Sequence, residues 1–126
     1  LFFFFYSDSD LSVRIADFGL VREVGNPITY KFEGAFLYMA PEMGGKKYDA
    51  KVDVYSAGLI LLELLYNCCG ENHDGILIRA TRNRFPEAFD NELKFAKPVL
   101  QKLLSCESTE RPQSDKMLEI LSDWVS

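Results

Sequence analysis

Lys51–Val52–Asp53–Val54–Tyr55–Ser56–Ala57–Gly58–Leu59–Ile60–Leu61–Leu62–Glu63–Leu64–Leu65–Tyr66 is the stretch on which the fold turns. Wound as a helix, it is apolar almost all the way round, through Val52, Val54, Tyr55, Ala57, Leu59, Ile60, Leu61, Leu62, Leu64 and Leu65. Such a helix is predicted to run through the middle of a core rather than over its surface. Upstream, Pro41 can open a short helix that the Gly44–Gly45 pair ends. Downstream, a shorter and more polar helix is expected at about Ile76 to Arg82, stopped before Pro86. Val99, Leu100, Leu103 and Leu104 then recur at helical spacing, with Pro98 tolerable only in the first turn. Met117, Ile120, Leu121 and Trp124 follow at i, i+3, i+4 and i+7, the pattern of an amphipathic closing helix.

The other end of the chain has a different period. Leu1–Phe2–Phe3–Phe4–Phe5–Tyr6 followed by Ser7–Asp8–Ser9–Asp10 reads as a strand and a turn. Val13 and Ile15 alternate with Ser12 and Arg14 as a second, half-buried strand, so the two make a small hairpin. The aromatic run has no basic flank and no small-residue cleavage site, so it does not read as a signal peptide. It is also too short to span a bilayer. A start in mid-strand on Leu1 is expected of a fragment. The expected fold is mainly α, several helices preceded by a small β-hairpin.

Composition excludes several classes. Over 126 residues, 48% are hydrophobic and 26% charged, as in an ordinary globular domain. A net charge of −5 argues against a broad nucleic-acid or anionic-membrane footprint. Cys68, Cys69 and Cys106 are odd in number and two are adjacent, which suits reduced, mostly buried thiols in a cytosolic protein. His73 is the one histidine, too few for a His-based metal site, and no Ser-His-Asp triad is expected.

Short motifs lie between these elements. Asp17–Phe18–Gly19 follows the second strand, Ala40–Pro41–Glu42 comes a loop later, then Asp53–Val54–Tyr55–Ser56–Ala57–Gly58, and finally Glu110–Arg111–Pro112. Each triplet alone is weak. In this order, on these elements, the chain resembles the eukaryotic protein kinases, from the magnesium loop to the last helix of the C-lobe. Within them Tyr48 to Leu65, Arg82–Asn83–Arg84–Phe85–Pro86, Leu100 to Ser105 and Leu121–Ser122–Asp123–Trp124 resemble the kinases of the translation initiation factor 2 alpha subunit, RNA-activated and ER-stress types foremost.

The resemblance implies a kinase-like C-lobe over residues 1–126, protein serine/threonine phosphorylation with ATP and Mg2+, and the initiation factor's alpha subunit as substrate. It implies that Asp17 binds magnesium, because a hard cation takes oxygen ligands. Phe18 packs inward beside it, and Gly19 permits the backbone excursion there. Glu42 and Arg111 form a buried ion pair tying the activation segment to the C-terminal helices. Asp53 accepts hydrogen bonds from the catalytic-loop backbone, although a plain acidic residue at a helix N-terminus would sit at the same place. With that loop absent, its carboxylate is expected to be partly unsatisfied or hydrated. Thr29, and less so Tyr30, is the regulatory phosphorylation site. Ile76, Ile78, Arg79 and Arg82 belong to the helix that docks the substrate. The implied setting is the cytoplasm or nucleus, without a membrane or nucleic-acid contact by this segment, in a parent that dimerises through its N-lobe.

Two departures temper the resemblance. The 126 residues contain no Gly-rich loop, no strand lysine and no catalytic loop with its base Asp and metal-binding Asn. Ala35 follows Gly34 where serine/threonine kinases usually carry a threonine. Alternatives to a piece of an active kinase are therefore a pseudokinase and a short binding module without catalysis.

Overall fold

A computed structural model describes residues 3–7, 9, 12–16, 36–44, 48–67 and 72–125. Strands β1 (Phe3–Ser7) and β2 (Ser12–Ala16) pair antiparallel, with Phe3 opposite Ala16 and Ser7 opposite Ser12. Short 3-10 helices follow at Phe36–Tyr38 and Pro41–Gly44. Among the described residues four α-helices follow, α1 (Lys51–Tyr66), α2 (His73–Thr81), α3 (Lys97–Leu103) and α4 (Ser114–Val125), with 3-10 helices at Glu87–Asp90 and Ser108–Glu110 between them. The expected class, mainly helical behind a small hairpin, is the one observed.

Local chemistry sets the bounds of α1. The Asp49 carboxylate accepts the Lys51 N–H at 2.9 Å, satisfying one of the donors that a helix start leaves open. At the other end Asn67 takes a left-handed conformation (φ 52°), and its N–H bonds the Glu63 carbonyl. Pro98 sits in the first turn of α3, where its missing N–H costs nothing.

Packing converges on α1. Leu59 and Leu62 are fully buried, together with Leu77 of α2, Leu100 and Leu103 of α3, and Phe89. Each such side chain contributes roughly 1.5–3 kcal/mol by leaving water. Phe89 stacks obliquely on Phe85 and Tyr66, with ring centres 5.6 and 6.0 Å away. α1 can approach α3 this closely because position 58 is glycine. A Cβ there would lie 2.8 Å from the Leu103 Cβ.

Several expectations need correction. α1 is not covered all round: Asp53 and Leu64 are exposed and Ala57 and Ile60 half-buried, so positions 53, 57, 60 and 64 make one open stripe. Leu64 is 69% exposed. α2 begins at His73, three residues before Ile76, and ends at Thr81. Its first turn gains Asp74, an acid favoured near the positive end of the helix dipole. In α4, Met117, Ile120, Leu121 and Trp124 are half-buried and Leu118 is exposed. Trp124 meets Phe95 edge-on at 5.1 Å. Cys106 is exposed rather than buried, because it follows the end of α3 in a surface turn. Cys68 and Cys69 lie outside the described residues.

Gly58→Ala should destabilise the chain by about 1–3 kcal/mol, the usual range for overpacking. The obstacle is a Cβ on a helix rather than a flexible chain end. Urea denaturation checks this, and unchanged stability would show that α1 and α3 can separate freely.

Candidate functional site

The short helix Pro41–Gly44 carries Glu42 into the helical layer, where it meets a side chain from far along the chain. Arg111 follows the 3-10 helix Ser108–Glu110 in extended conformation and is 1% exposed. Its two terminal nitrogens donate to the two Glu42 oxygens at 2.5 and 2.9 Å, a fork-on-fork pair. Nε donates to the Ser105 carbonyl at 2.9 Å, and a terminal nitrogen also reaches the Lys51 carbonyl at 3.3 Å. The guanidinium lies 4.9 Å from the centre of the Tyr55 ring. Burial alone would raise the Glu42 pKa, but the hydrogen bonds and charge of Arg111 outweigh it and hold the carboxyl below its ordinary 4.5. Burial also pushes the Tyr55 phenol up to about 12.

A second cluster stands beside the segment Phe36–Tyr38. Ser56, buried in α1, donates its hydroxyl to the Tyr38 carbonyl at 2.6 Å, with the Val52 carbonyl within reach at 3.2 Å. The Tyr38 hydroxyl donates to Oε1 of Glu63 on α1. His73 Nε2 contacts the same oxygen, and its Nδ1 lies 2.8 Å from Oδ1 of Asp74. Three elements thus meet on one carboxylate.

The substrate-docking candidates divide by face. Leu77 and Ala80 turn into the core and Ile76 is half-buried. Ile78 is 42% exposed. Arg79 and Arg82 are exposed beside it, as is Arg84 just beyond α2. Asp53 sits exposed in the first turn of α1, and its own N–H bonds the Ala50 carbonyl at 3.1 Å. Asp17, Phe18, Gly19, Thr29, Tyr30 and Ala35 lie outside the described residues. β2 ends at Ala16, directly before Asp17. Among the described residues no group of three or more His, Cys, Asp or Glu side chains could hold a metal ion, and no helix is long and apolar enough to cross a membrane.

The model of the protein kinase domain matches residues 4–124. The chain belongs to the protein kinase family. Among its relatives, the interferon-induced, double-stranded RNA-activated protein kinase of Rattus norvegicus is 37% identical over 119 residues, covering 89% of this chain and 22% of that protein. Eukaryotic translation initiation factor 2-alpha kinase 3 of Rattus norvegicus is 33% identical over 131 residues, covering 91% of this chain and 12% of the relative. The serine/threonine-protein kinase ATG1a of Arabidopsis thaliana is 39% identical over 89 residues, covering 64% and 14% respectively. The chain therefore spans about a fifth or less of the length of these relatives.

Tyr38, Glu63 and His73 were not among the candidates the sequence offered. One signal was available: Glu63 is the only charged residue between Asp53 and Tyr66 in an otherwise apolar helix. An acid so placed needs partners.

Glu42→Ala should cost about 3–5 kcal/mol by leaving the Arg111 charge buried without its partner. Adding Arg111→Met should recover part of that loss. The Glu42 pKa is depressed on folding, so its contribution is full above 4.5 and fades as pH falls through the lower folded value. Urea titrations of Glu42→Gln and the parent should therefore converge in acid. A gap that persisted undiminished would assign the loss to packing rather than charge.

Proposed function

We propose that this chain forms the activation-segment end and helical floor of a serine/threonine kinase that phosphorylates the alpha subunit of translation initiation factor 2, in the cytoplasm or nucleus. The observation that carries this reading is the Glu42–Arg111 fork, which fixes the end of Ala40–Pro41–Glu42 to the loop before α4, with Arg111 also bonded to the Lys51 carbonyl at the start of α1 and the Ser105 carbonyl beyond α3. The family uses ATP and Mg2+. Asp17, the next residue in sequence after β2, is the residue proposed to hold the magnesium, whose charge would neutralise the transferring phosphate. The chain's own described residues do no chemistry in this reading. They hold the substrate-side segment and the protein substrate in place, and positioning of that kind is a large part of phosphoryl transfer.

The substrate assignment is supported by the similarity to eukaryotic translation initiation factor 2-alpha kinase 3. It is supported also by the apolar Ile78 standing out of α2 with Arg79 and Arg82 around it, since an exposed apolar residue in a polar rim suits an interface. The open stripe of Asp53, Ala57, Ile60 and Leu64 is proposed as the seat of the catalytic loop and the rest of the domain. Ala35 favours a second reading, a catalytically silent parent that only binds.

The 126 residues alone should transfer no labelled phosphate from Mg-ATP to any protein, since the base, the strand lysine and the Gly-rich loop are not among them. In the full-length kinase, Ile78→Asp should lower kcat/KM for the initiation-factor subunit about tenfold while autophosphorylation persists, as expected of an interface anchor. Equal loss of both would mark a folding defect, and no change would remove α2 from the docking surface. A full-length protein that binds ATP yet phosphorylates nothing would establish the silent reading.

A further inference from the structure

His73 is held in a way that fixes its protonation. A neutral imidazole has one N–H and one lone pair, so it can donate from only one nitrogen. Here both nitrogens face carboxylate oxygens, Nδ1 toward Asp74 and Nε2 toward Glu63. Both contacts are bonds only if the ring is a doubly protonated imidazolium. The location makes this costly, since a cation at the start of α2 opposes the helix dipole. The two acids must overcome that cost. The Glu63 side chain is 24% exposed and that of Asp74 76%, so loss of the proton falls harder on Glu63, which water solvates less.

We propose that His73 is a positioning residue: its imidazolium, clamped between Asp74 and Glu63, aims the Glu63 carboxylate at the Tyr38 hydroxyl and so ties the segment Phe36–Tyr38 to α1 and to the start of α2. The tie loosens when the proton leaves. That it bears on substrate rests on the kinase reading above, because Tyr38 lies two residues before Ala40–Pro41–Glu42 and α2 carries Ile78, Arg79 and Arg82.

The groups facing the ring among the described residues are Asp74 on its own helix and Glu63 on α1, with the Tyr38 hydroxyl from the 3-10 helix on the shared oxygen. The bonds to Asp74 and Glu63 raise the His73 pKa above its ordinary 6.5, against a smaller opposing effect of burial. For a raised pKa, the stabilisation is complete below the unfolded value and is lost as pH climbs through the folded one. The tie is therefore strongest at mildly acidic pH.

Because His73 is the one histidine of the chain, its ring is a single NMR signal set. Nitrogen-15 titration should show both ring nitrogens protonated to above 6.5, with Tyr38 ring resonances moving at the same midpoint. Glu63→Gln should lower that midpoint, and should it fail to fold, Asp74→Asn at the exposed position should lower it too. An ordinary midpoint, or Tyr38 signals indifferent to the titration, would overturn the proposal. In the full-length kinase, KM for the protein substrate should rise several-fold as pH climbs through the raised His73 midpoint, with kcat little changed. His73→Arg should flatten that profile at low KM, and His73→Gln should flatten it at high KM. A wild-type KM without pH dependence would count against the tie. An inactive full-length protein whose His73 and Tyr38 still titrate together would overturn the kinase reading and leave the tie standing.

Discussion

A guanidinium taken entirely out of water sets the terms for the helical part of this protein. Arg111 cannot give up its proton, so its surroundings must supply acceptors for nearly all of its donors. They come from three separate places: the Glu42 carboxylate, the Ser105 carbonyl and the Lys51 carbonyl, with the Tyr55 ring against the guanidinium. The acid and the base are 69 residues apart in sequence. Until the chain closes over that distance, neither the turn at Pro41–Gly44 nor the loop before α4 has a defined place. A buried pair of this type is weak evidence for net stability, since desolvation opposes it, but it admits few alternative arrangements.

α1 supplies the rest of the framework. Its buried side chains meet α2 and α3, its Gly58 lets α3 lie close, and its Ser56 and Glu63 reach the segment at Tyr38. A helix that serves as both core and mounting rail cannot be amphipathic in the usual sense. That accounts for a sequence with so little polarity and for the few polar residues it keeps.

Much of this was legible beforehand, and the reason is physical. The hairpin and α1 announce themselves through period and composition, which are local properties, and α1 runs over the same sixteen residues in both readings. The pairing of Glu42 with Arg111 is implied by the family resemblance that the ordered motifs carry, not by any spacing between the two residues. What escaped depends on neighbours distant in sequence. α2 starts at His73 behind Asn72, a residue type that favours helix N-caps, yet its side chain makes no cap bond there, so the start is set by other contacts. The exposure of Leu64 and Cys106 is a fact about what covers them, and no spacing reports that. The junction of Tyr38, Glu63 and His73 brings together three residues whose separations follow no motif.

The bond from Ser56 to the Tyr38 carbonyl has an evolutionary consequence. A peptide carbonyl is the same whatever side chain it bears, so this anchor holds the path of the segment without inspecting its letters. Leu37 and Met39 on either side are half-buried and packed against the core, so what limits them is apolar packing and not the bond that holds the backbone on its track over α1. The course of the segment is thereby set by a main-chain group, and the letters along it answer separately to the packing beneath them.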